Sequence, residues 1–336
     1  QTNITHNKPA DGCHTCYDLE HGKQGFDIIS DRIFYIREFK KTPLDTYQVN
    51  NFDLQTIDVR WTNLCNFSCV YCSATFSSKW ANELNIRTET PSDRQLADFR
   101  EYIFKHAKNL KHVYLAGGEP LLIKDHERLI TKLVESGVSK NIVIRYHTNG
   151  TILNQKFIDL WSNFKEVEIM VSLDDWGSRN EYVRYPAQWD VVSANLDRLD
   201  KTPNNIIVNL LTTVHAMNIY NLPDFAMNIL NRKWKKICKR NDGLFAIGTT
   251  HWPQYMSTRV LPNTVKEKIV DYWNTFDELK SNKRWATRIV PQLDFMNQLD
   301  ESHRFPSLLD YIEKLDSIRP IHFSQQYKDY YEILRS

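Results

Sequence analysis

The sequence predicts an α/β fold in which residues 57–260 form an open, partial (β/α)6 barrel of TIM-like architecture. Six short β-prone runs alternate with helix-like segments in this part of the chain, which is the pattern of parallel βα units. Small and polar residues follow the ends of the first four runs, where parallel α/β barrels place their chemistry. With 336 residues, the chain is long enough to bury a large core.

Local patterns predict the individual strands and helices of this barrel. The six strands are expected at Ile57–Trp61, His112–Leu115, Asn141–Tyr146, Val167–Leu173, Ile206–Val214 and Leu244–Thr249. The helices between them are expected at Ser92–Ala107, Asp125–Glu135, Gln155–Phe164 and Leu222–Lys236. Ser92 provides an N-cap for the first helix, and Ser136-Gly137 ends the second.

Two further regions flank the predicted barrel. Residues 1–56 are interpreted as an N-terminal extension, with Cys13 and Cys16 in its polar first part. Residues 261–336 are predicted to be mostly helical. Their first helix, Asn263–Leu279, carries an apolar stripe that predicts a face packed on the core. Two later helices are expected at Ser307–Leu315 and Gln325–Leu334.

Composition excludes several classes of protein. The net charge is only +2, and no basic stripe stands out, so we expect no duplex nucleic acid as a partner. No apolar run approaches the roughly 18 residues that span a membrane. No secretory signal pattern is present, and because position 1 is Gln rather than Met, we expect the natural chain to begin upstream.

Three of the six cysteines form the motif around which the chain is organised. Cys65, Cys69 and Cys72 follow the first predicted strand with the spacing C-x3-C-x2-C. Three thiolates on one loop can hold three corners of a cubane iron–sulfur cluster and leave one iron open to another ligand. The alternative is a structural zinc site, which needs a fourth Cys or His. Such clustered spacings favour metal ligation over disulfides and predict a reducing compartment, the cytoplasm.

A second motif ends the second predicted strand, where the chain reads Gly117-Gly118-Glu119-Pro120. Two glycines at the carboxyl end of a strand leave room for close approach of a ligand. Glu119 adds an acceptor for a cation. Taken alone, this run is an ordinary tight turn, but its position after the cysteine loop and one helix makes it specific.

With these two motifs, the chain resembles the radical S-adenosylmethionine (SAM) enzymes, which also carry an aromatic residue, here Tyr71, before the third cysteine. The resemblance implies a [4Fe-4S] cluster whose open iron is chelated by SAM. It implies reductive cleavage of SAM to a 5′-deoxyadenosyl radical that abstracts a hydrogen from a substrate. It also implies a reductant such as flavodoxin or ferredoxin, and SAM contacts from Tyr71 and the run Gly117–Pro120, with the Glu119 carboxylate meeting the SAM ammonium.

The same resemblance implies further SAM contacts at the ends of strands three and four. Thr148, Ser172 and Asp174 are the candidates for the ribose and carboxylate, although strand-end capping would explain each of them equally well. Some relatives place a basic residue on strand five for the SAM carboxylate. This strand has none, and Asn209 is its polar candidate.

Two weaker motifs are similar to those of radical SAM proteins with a twitch domain. Cys13 and Cys16 match an N-terminal C-x2-C, and residues 315–319 with Phe323 match a C-terminal L-D-x-x-R segment followed by an aromatic. The two cysteines predict an auxiliary iron–sulfur cluster. Its other ligands are expected upstream of residue 1, from His14 or His21, or from Cys238; free cysteines or a disulfide are the alternatives.

Three functions compete at this point. The first is an enzyme that cleaves SAM and abstracts hydrogen from a peptide or a small metabolite. The second is a non-catalytic iron–sulfur or zinc scaffold that binds a partner protein, and the third is a radical SAM methylase of RNA. Substrate contacts are expected from the mouth of the barrel, and Trp176 is either a lid or a packing residue. The mouth residues in question are His147, His251, Trp252 and Tyr255.

Overall fold

The computed structural model describes residues 54–336, and within them six strands form one parallel sheet in sequential order. The strands are β1 (Thr56–Val59), β2 (His112–Leu115), β3 (Val143–Thr148), β4 (Glu166–Ser172), β5 (Ile206–Val214) and β6 (Ala246–Thr249). Each strand pairs in parallel with the next along the chain. This arrangement confirms the predicted partial (β/α)6 barrel.

Helices connect the strands and continue after them. The helices of the barrel are α1 (Ser78–Glu83), α2 (Asp93–Lys105), α3 (Lys124–Glu135), α4 (Gln155–Trp161), α5 (Ser178–Val183), α6 (Trp189–Leu199) and α7 (Leu222–Asn231). Those after β6 are α8 (Asn263–Asn274), α9 (Asp277–Lys280), a π-helix (Trp285–Ile289), α10 (Pro291–Gln298), α11 (Phe305–Ile318), α12 (Phe323–Gln326) and α13 (Lys328–Arg335).

The two faces of the sheet differ in polarity because side chains alternate along each strand. On β4, Val167, Ile169 and Val171 are buried in the apolar core. The alternate residues of β4 are less covered, and the strand register places His147 beside Met170, and Met170 beside Asn209, on that other face. This second face is the concave side of the open barrel, and it carries the polar residues.

The chain departs from the predicted elements in several places. β3 extends through Thr148, and α7 ends at Asn231 instead of Lys236. The backbone turns away at Lys233, whose φ is 52°, and the Asp200 carboxylate then accepts the Lys236 N–H at 2.7 Å. The helix Trp189–Leu199 was not predicted, although Val192, Leu196 and Leu199 are buried along one face of it.

The C-terminal helices pack on the barrel as the apolar stripe predicted. On α8, Val265, Ile269 and Trp273 are buried, and the Trp273 indole N–H donates to the Ile219 carbonyl at 3.0 Å. On α13, the Tyr330 hydroxyl donates to the Ala216 carbonyl at 2.5 Å. Both acceptors lie in the segment that follows β5. Among residues 54–336, no helix combines the length and apolar character needed to cross a membrane.

One buried side chain makes stability depend on pH. His126 of α3 is fully buried between Tyr146 and Phe157, with ring centroids 5.0 and 5.9 Å away. Neither of its ring nitrogens has a hydrogen-bond partner in the described part of the chain. Burial lowers the pKa of His126 from 6.5 to about 3, so the folded protein keeps this ring neutral.

We expect His126→Leu to flatten the acid side of the stability profile. Below pH 6.5 the unfolded chain binds a proton at His126 that the folded chain does not, until the pH approaches 3. As the pH is lowered through this window, this group therefore lowers the free energy of unfolding by about 1.4 kcal/mol per pH unit. Urea unfolding of parent and variant at pH 5, 6 and 7 measures the difference. If the free energy of unfolding changed equally with pH in the two proteins, His126 would titrate normally in the fold.

Candidate cluster and SAM site

The three cysteines lie on the loop of residues 60–77 between β1 and α1, called here the cluster loop. A turn joins two of them, since the Cys72 N–H donates to the Cys69 carbonyl at 2.9 Å. The Cys65 N–H donates to Ser78 Oγ at 3.1 Å, and the Trp80 indole N–H donates to the Cys69 carbonyl at 2.8 Å. Helix α1 thus fixes the backbone of the loop at two of its three cysteines.

The surroundings of these thiols suit ligation by a cationic centre. Burial, followed by the charges of neighbouring cysteines, raises the pKa of Cys65 to about 11 and that of Cys72 to about 12. Burial also raises the pKa of Cys69. Such thiols lose their protons when a metal takes the protons' place. An iron–sulfur cluster is held by thiolate sulfurs, so the donor chemistry of the three cysteines fits that group. Among residues 54–336, no set of three or more His, Cys, Asp or Glu is arranged to hold a single metal ion.

The glycine turn after β2 lies against the cluster loop. Gly118 has a φ of 54°, and a Cβ atom there would lie 2.1 Å from the Leu64 carbonyl oxygen. The next N–H, that of Glu119, donates to the same oxygen at 2.8 Å. Glycine is required because this backbone approaches the backbone of the loop so closely. The turn and the first cysteine are therefore held together.

Glu119 joins the ends of β2 and β3. Its carboxylate is fully buried and accepts the Thr148 hydroxyl at 2.7 Å, the Asn149 N–H at 2.6 Å and the Leu121 N–H at 3.1 Å. Burial raises the pKa of Glu119, and these three hydrogen bonds oppose the rise. Its contact with the SAM ammonium stays a prediction. The structure shows a brace that fixes Thr148 and the turn beside the cluster loop.

Asp174 joins the cluster loop to β4 and β5. This fully buried carboxylate accepts the Tyr71 hydroxyl at 2.8 Å, Arg184 Nη1 at 2.6 Å and the Thr213 N–H at 2.7 Å. Arg184 Nη1 also donates to the Tyr71 hydroxyl oxygen. Because Tyr71 immediately precedes Cys72, this network fixes the end of the cysteine motif against the sheet.

Arg184 is the residue of the site that the sequence did not indicate. It follows α5, and its side chain is only 7% exposed. The pKa of each of the three thiols is raised mainly by burial, and the Arg184 guanidinium opposes each rise. The sequence offered no basic residue on β5, with Asn209 as its polar candidate. The buried cation comes instead from the segment after β4, brought there by its ion pair with Asp174.

Unpaired polar atoms surround the same end of the barrel. Arg184 Nε, Asn209 Oδ1 and His215 Nε2 are buried without a hydrogen-bond partner among residues 54–336. Burial lowers the pKa of His215 to about 4, so its ring, 5.5 Å from that of Tyr71, is neutral. Ser172 is half-buried at the end of β4. Buried polar atoms usually have partners, so unpaired ones around this site suit a polar ligand.

Other candidates lie apart from this arrangement. Trp176 is half-buried and packs on Trp189 of α6 and on Trp234 in the segment after α7, with ring centroids 4.5 and 6.3 Å away, which favours the packing role. Cys238 is buried below β5, where its sulfur accepts the Leu210 N–H at 3.4 Å. Its backbone adopts a left-handed φ of 59°. Cys13 and Cys16 lie outside the described residues.

The expected substrate contacts lie around the mouth of the barrel with different exposures. Trp252 is 77% exposed, and His251 packs edge-on against Phe295 at 5.1 Å. His147 lies on the concave face, 5.2 Å from the Tyr114 ring, and burial lowers its pKa to about 4. A neutral imidazole can donate or accept one hydrogen bond at each nitrogen, which makes His147 suitable for contact with a polar substrate.

Comparison with known proteins gives a family match and several relatives. The model of the radical SAM superfamily matches residues 59–224. Fe-coproporphyrin III synthase of Methanosarcina barkeri is 26% identical over 214 residues, which cover 62% of this chain and 49% of that protein. Sporulation killing factor maturation protein SkfB of Bacillus subtilis is 26% identical over 141 residues, which cover 42% of this chain and 30% of that protein. The chain thus spans half or less of the length of these relatives.

Solved structures of similar fold were also found. The structure of anSMEcpe with bound AdoMet has a TM-score of 0.47 at 17% identity, over 68% of this chain and 62% of that one. SuiB of Streptococcus suis bound to S-adenosylmethionine has a TM-score of 0.44 at 14% identity, over 81% of this chain and 60% of that one.

Proposed function

We propose that this chain, which belongs to the radical SAM superfamily, holds a [4Fe-4S] cluster on Cys65, Cys69 and Cys72 and cleaves SAM reductively there. The main support for this proposal is the close backbone contact between the Gly118 turn and the loop that bears all three thiols. When bound, such a cluster supplies an iron open to SAM and the electron that cleaves the C5′–S bond. A flavodoxin or ferredoxin is the proposed source of that electron, and a reducing compartment such as the cytoplasm suits the free thiols.

The remaining residues of the site would bind and orient SAM. We assign the turn Gly117–Pro120 and Thr148 to its amino end, since Glu119 holds both in place. Arg184 offers a buried cation with an unpaired Nε to the SAM carboxylate, the contact that some relatives make with a basic residue on strand five. Ser172 and Asp174 stay the candidates for the ribose and carboxylate, Asn209 is a polar candidate for the carboxylate, and Tyr71 is a further SAM contact. Asp174 acts mainly by holding Tyr71 and Arg184.

Electron paramagnetic resonance tests whether the site has an open iron. The chain is reconstituted with iron and sulfide without oxygen, reduced by one electron, and measured with and without SAM. We expect iron and sulfide for at least one cubane cluster per chain and a signal that changes when SAM is added. A spectrum that SAM leaves unchanged would mean that the cluster is closed to it.

The substrate is proposed to be a peptide or a small metabolite from which a hydrogen is abstracted. One relative is by its name a maturation protein of a killing factor, and another is a synthase of an iron porphyrin, so the relatives support both classes. The concave face and mouth of the barrel, with His147 and the exposed Trp252, provide polar and aromatic contacts for either. Incubation with deuterated candidate peptides or metabolites separates the two classes. The true substrate transfers deuterium to 5′-deoxyadenosine.

We further propose an auxiliary iron–sulfur cluster on Cys13 and Cys16, because a C-x2-C pair places two sulfurs within reach of one cluster edge. The double variant Cys13→Ala/Cys16→Ala should then retain fewer irons and sulfides per chain than the parent while still cleaving SAM. Iron and sulfide counting after anaerobic reconstitution measures this. A double variant that keeps all of its iron would show that the chain holds one cluster.

A further inference from the structure

The C-terminal L-D-x-x-R segment has no role in the function proposed above, yet it ends beside the cluster loop. Arg319 follows α11, and its side chain is completely buried. Its Nη2 donates to the Ser68 carbonyl at 2.8 Å and to the Ser68 hydroxyl at 3.2 Å. Ser68 immediately precedes Cys69. One guanidinium from the far end of the chain thus holds the middle of the cysteine motif.

The same guanidinium is embedded among groups that also touch the loop. Arg319 Nε pairs with Glu83 of α1 at 3.0 Å, and the charge lies 4.8 Å from the ring of Trp80 and 4.8 Å from that of Tyr185. Trp80 donates to the Cys69 carbonyl, and the Tyr185 carbonyl accepts the Ser68 N–H at 2.7 Å. Glu83 therefore pairs with the arginine, while Trp80 and Tyr185 bond to the backbone of the loop.

Three other hydrogen bonds fix this C-terminal segment, and one of them reaches the loop. The Asp316 carboxylate accepts the Tyr182 hydroxyl at 2.8 Å and the Phe323 N–H at 3.0 Å. From the same helix, the Tyr311 hydroxyl donates to the Val70 carbonyl at 2.7 Å. The residues of the L-D-x-x-R motif and its aromatic thus form one support behind the cysteines.

Arg319 is a buried cation whose hydrogen bonding is incomplete among residues 54–336. Glu83 is its one acidic partner in the described residues, and Arg319 Nη1 is buried without a hydrogen-bond partner among them. A buried, permanently charged guanidinium is costly unless negative groups lie near it. Three thiolates carrying a cluster would provide such negative charge, and the reduction potential of a cluster depends on the charges and hydrogen bonds around it.

We propose that Arg319 is a positioning residue for the cluster, which fixes the loop through Ser68 and raises the reduction potential through its charge. The inference rests on the proposed [4Fe-4S] site at Cys65, Cys69 and Cys72. On this proposal, residues 311–323 support the cluster site and influence its reduction potential.

Redox titration of four variants beside the parent tests this role in the full reconstituted chain. Arg319→Gln should have a lower midpoint potential than the parent, and it should release iron to a chelator about tenfold faster, the lower end of the usual effect of outer-shell partners. Arg319→Lys should keep most of the potential, because it keeps the charge, but should still release iron faster, since an ammonium cannot bond Ser68 and Glu83 in the same geometry.

Two further variants test whether the charge beside the cluster, rather than any loss of a charge from the chain, sets the potential. Glu83→Gln removes the anion that pairs with Arg319 and should shift the potential upward, opposite to Arg319→Gln. Arg335→Gln removes an equal charge from an exposed ion pair with Glu313 and should leave potential and iron release unchanged.

A parent without a cluster would overturn the proposed function and this inference together. A parent with a cluster whose potential and iron release match those of Arg319→Gln would overturn this inference alone. If Arg319→Gln does not fold, the upward shift of the potential expected for Glu83→Gln and the faster iron release expected for Arg319→Lys still decide the question. An unshifted potential in Glu83→Gln together with parental iron release in Arg319→Lys would overturn the inference.

Discussion

Replacing Cys69 by alanine should abolish the cluster and reduce SAM cleavage to background. Cys69 is 7% exposed and lies in the middle of the motif, so its loss leaves two thiolates for a group that needs three. The loop itself should persist, because Arg319, Trp80 and Tyr185 bond to its backbone rather than to the Cys69 sulfur. Iron counting and a 5′-deoxyadenosine assay on anaerobically reconstituted protein measure the effect.

Cys238→Ala is the matched control for this experiment. It removes a buried thiol that lies beside β5, where its sulfur accepts the Leu210 N–H. The control should keep the iron content and the activity of the parent. If Cys69→Ala also keeps them, Cys69 does not hold the cluster.

Replacing Arg184 by glutamine should weaken both the fold and the binding of SAM. The change leaves Asp174, which is fully buried, without its cation, and breaking a buried ion pair in this way costs about 3–5 kcal/mol. It also removes the cation that we assign to the SAM carboxylate. We expect the midpoint of urea unfolding to fall and the affinity for SAM to drop by about tenfold or more, as for the loss of a charge-assisted hydrogen bond.

Arg184→Lys separates these two effects. Lysine keeps the charge beside Asp174, so most of the stability should return. It loses the planar guanidinium, whose Nη1 donates to both Tyr71 and Asp174 and whose Nε, unpaired among residues 54–336, is free for SAM. SAM affinity should then lie between those of the parent and of Arg184→Gln. Binding of SAM by Arg184→Gln with the affinity of the parent would remove Arg184 from the site.

The barrel and the cysteine motif were predictable because both depend on short-range patterns. β2 and β5 have the predicted bounds, since β2 ends at the glycine turn and β5 is rich in β-branched residues. The cysteine spacing and the glycine turn occupy neighbouring strand ends, so parallel topology alone brings them together. The same rule placed Thr148 and Asp174 near them.

The rest of the site depends on contacts between residues far apart in the sequence. Arg184 and Arg319 reach the cluster loop through tertiary contacts, and the sequence around each gives no spacing from which those contacts follow. The three acceptor contacts of Glu119 are likewise set by the approach of β2 to β3. Helix Trp189–Leu199 was missed for a local reason, because its N-cap is Gln188 and makes no side-chain capping bond.

The most direct test of the central claim is the formation of 5′-deoxyadenosine. The anaerobically reconstituted parent is reduced in the presence of SAM, and the nucleoside and methionine are quantified together with controls that lack reductant. We expect equal amounts of both products, dependent on reductant, from the parent and from Cys238→Ala. Fully reconstituted protein that binds SAM but forms no 5′-deoxyadenosine above the controls would contradict the account.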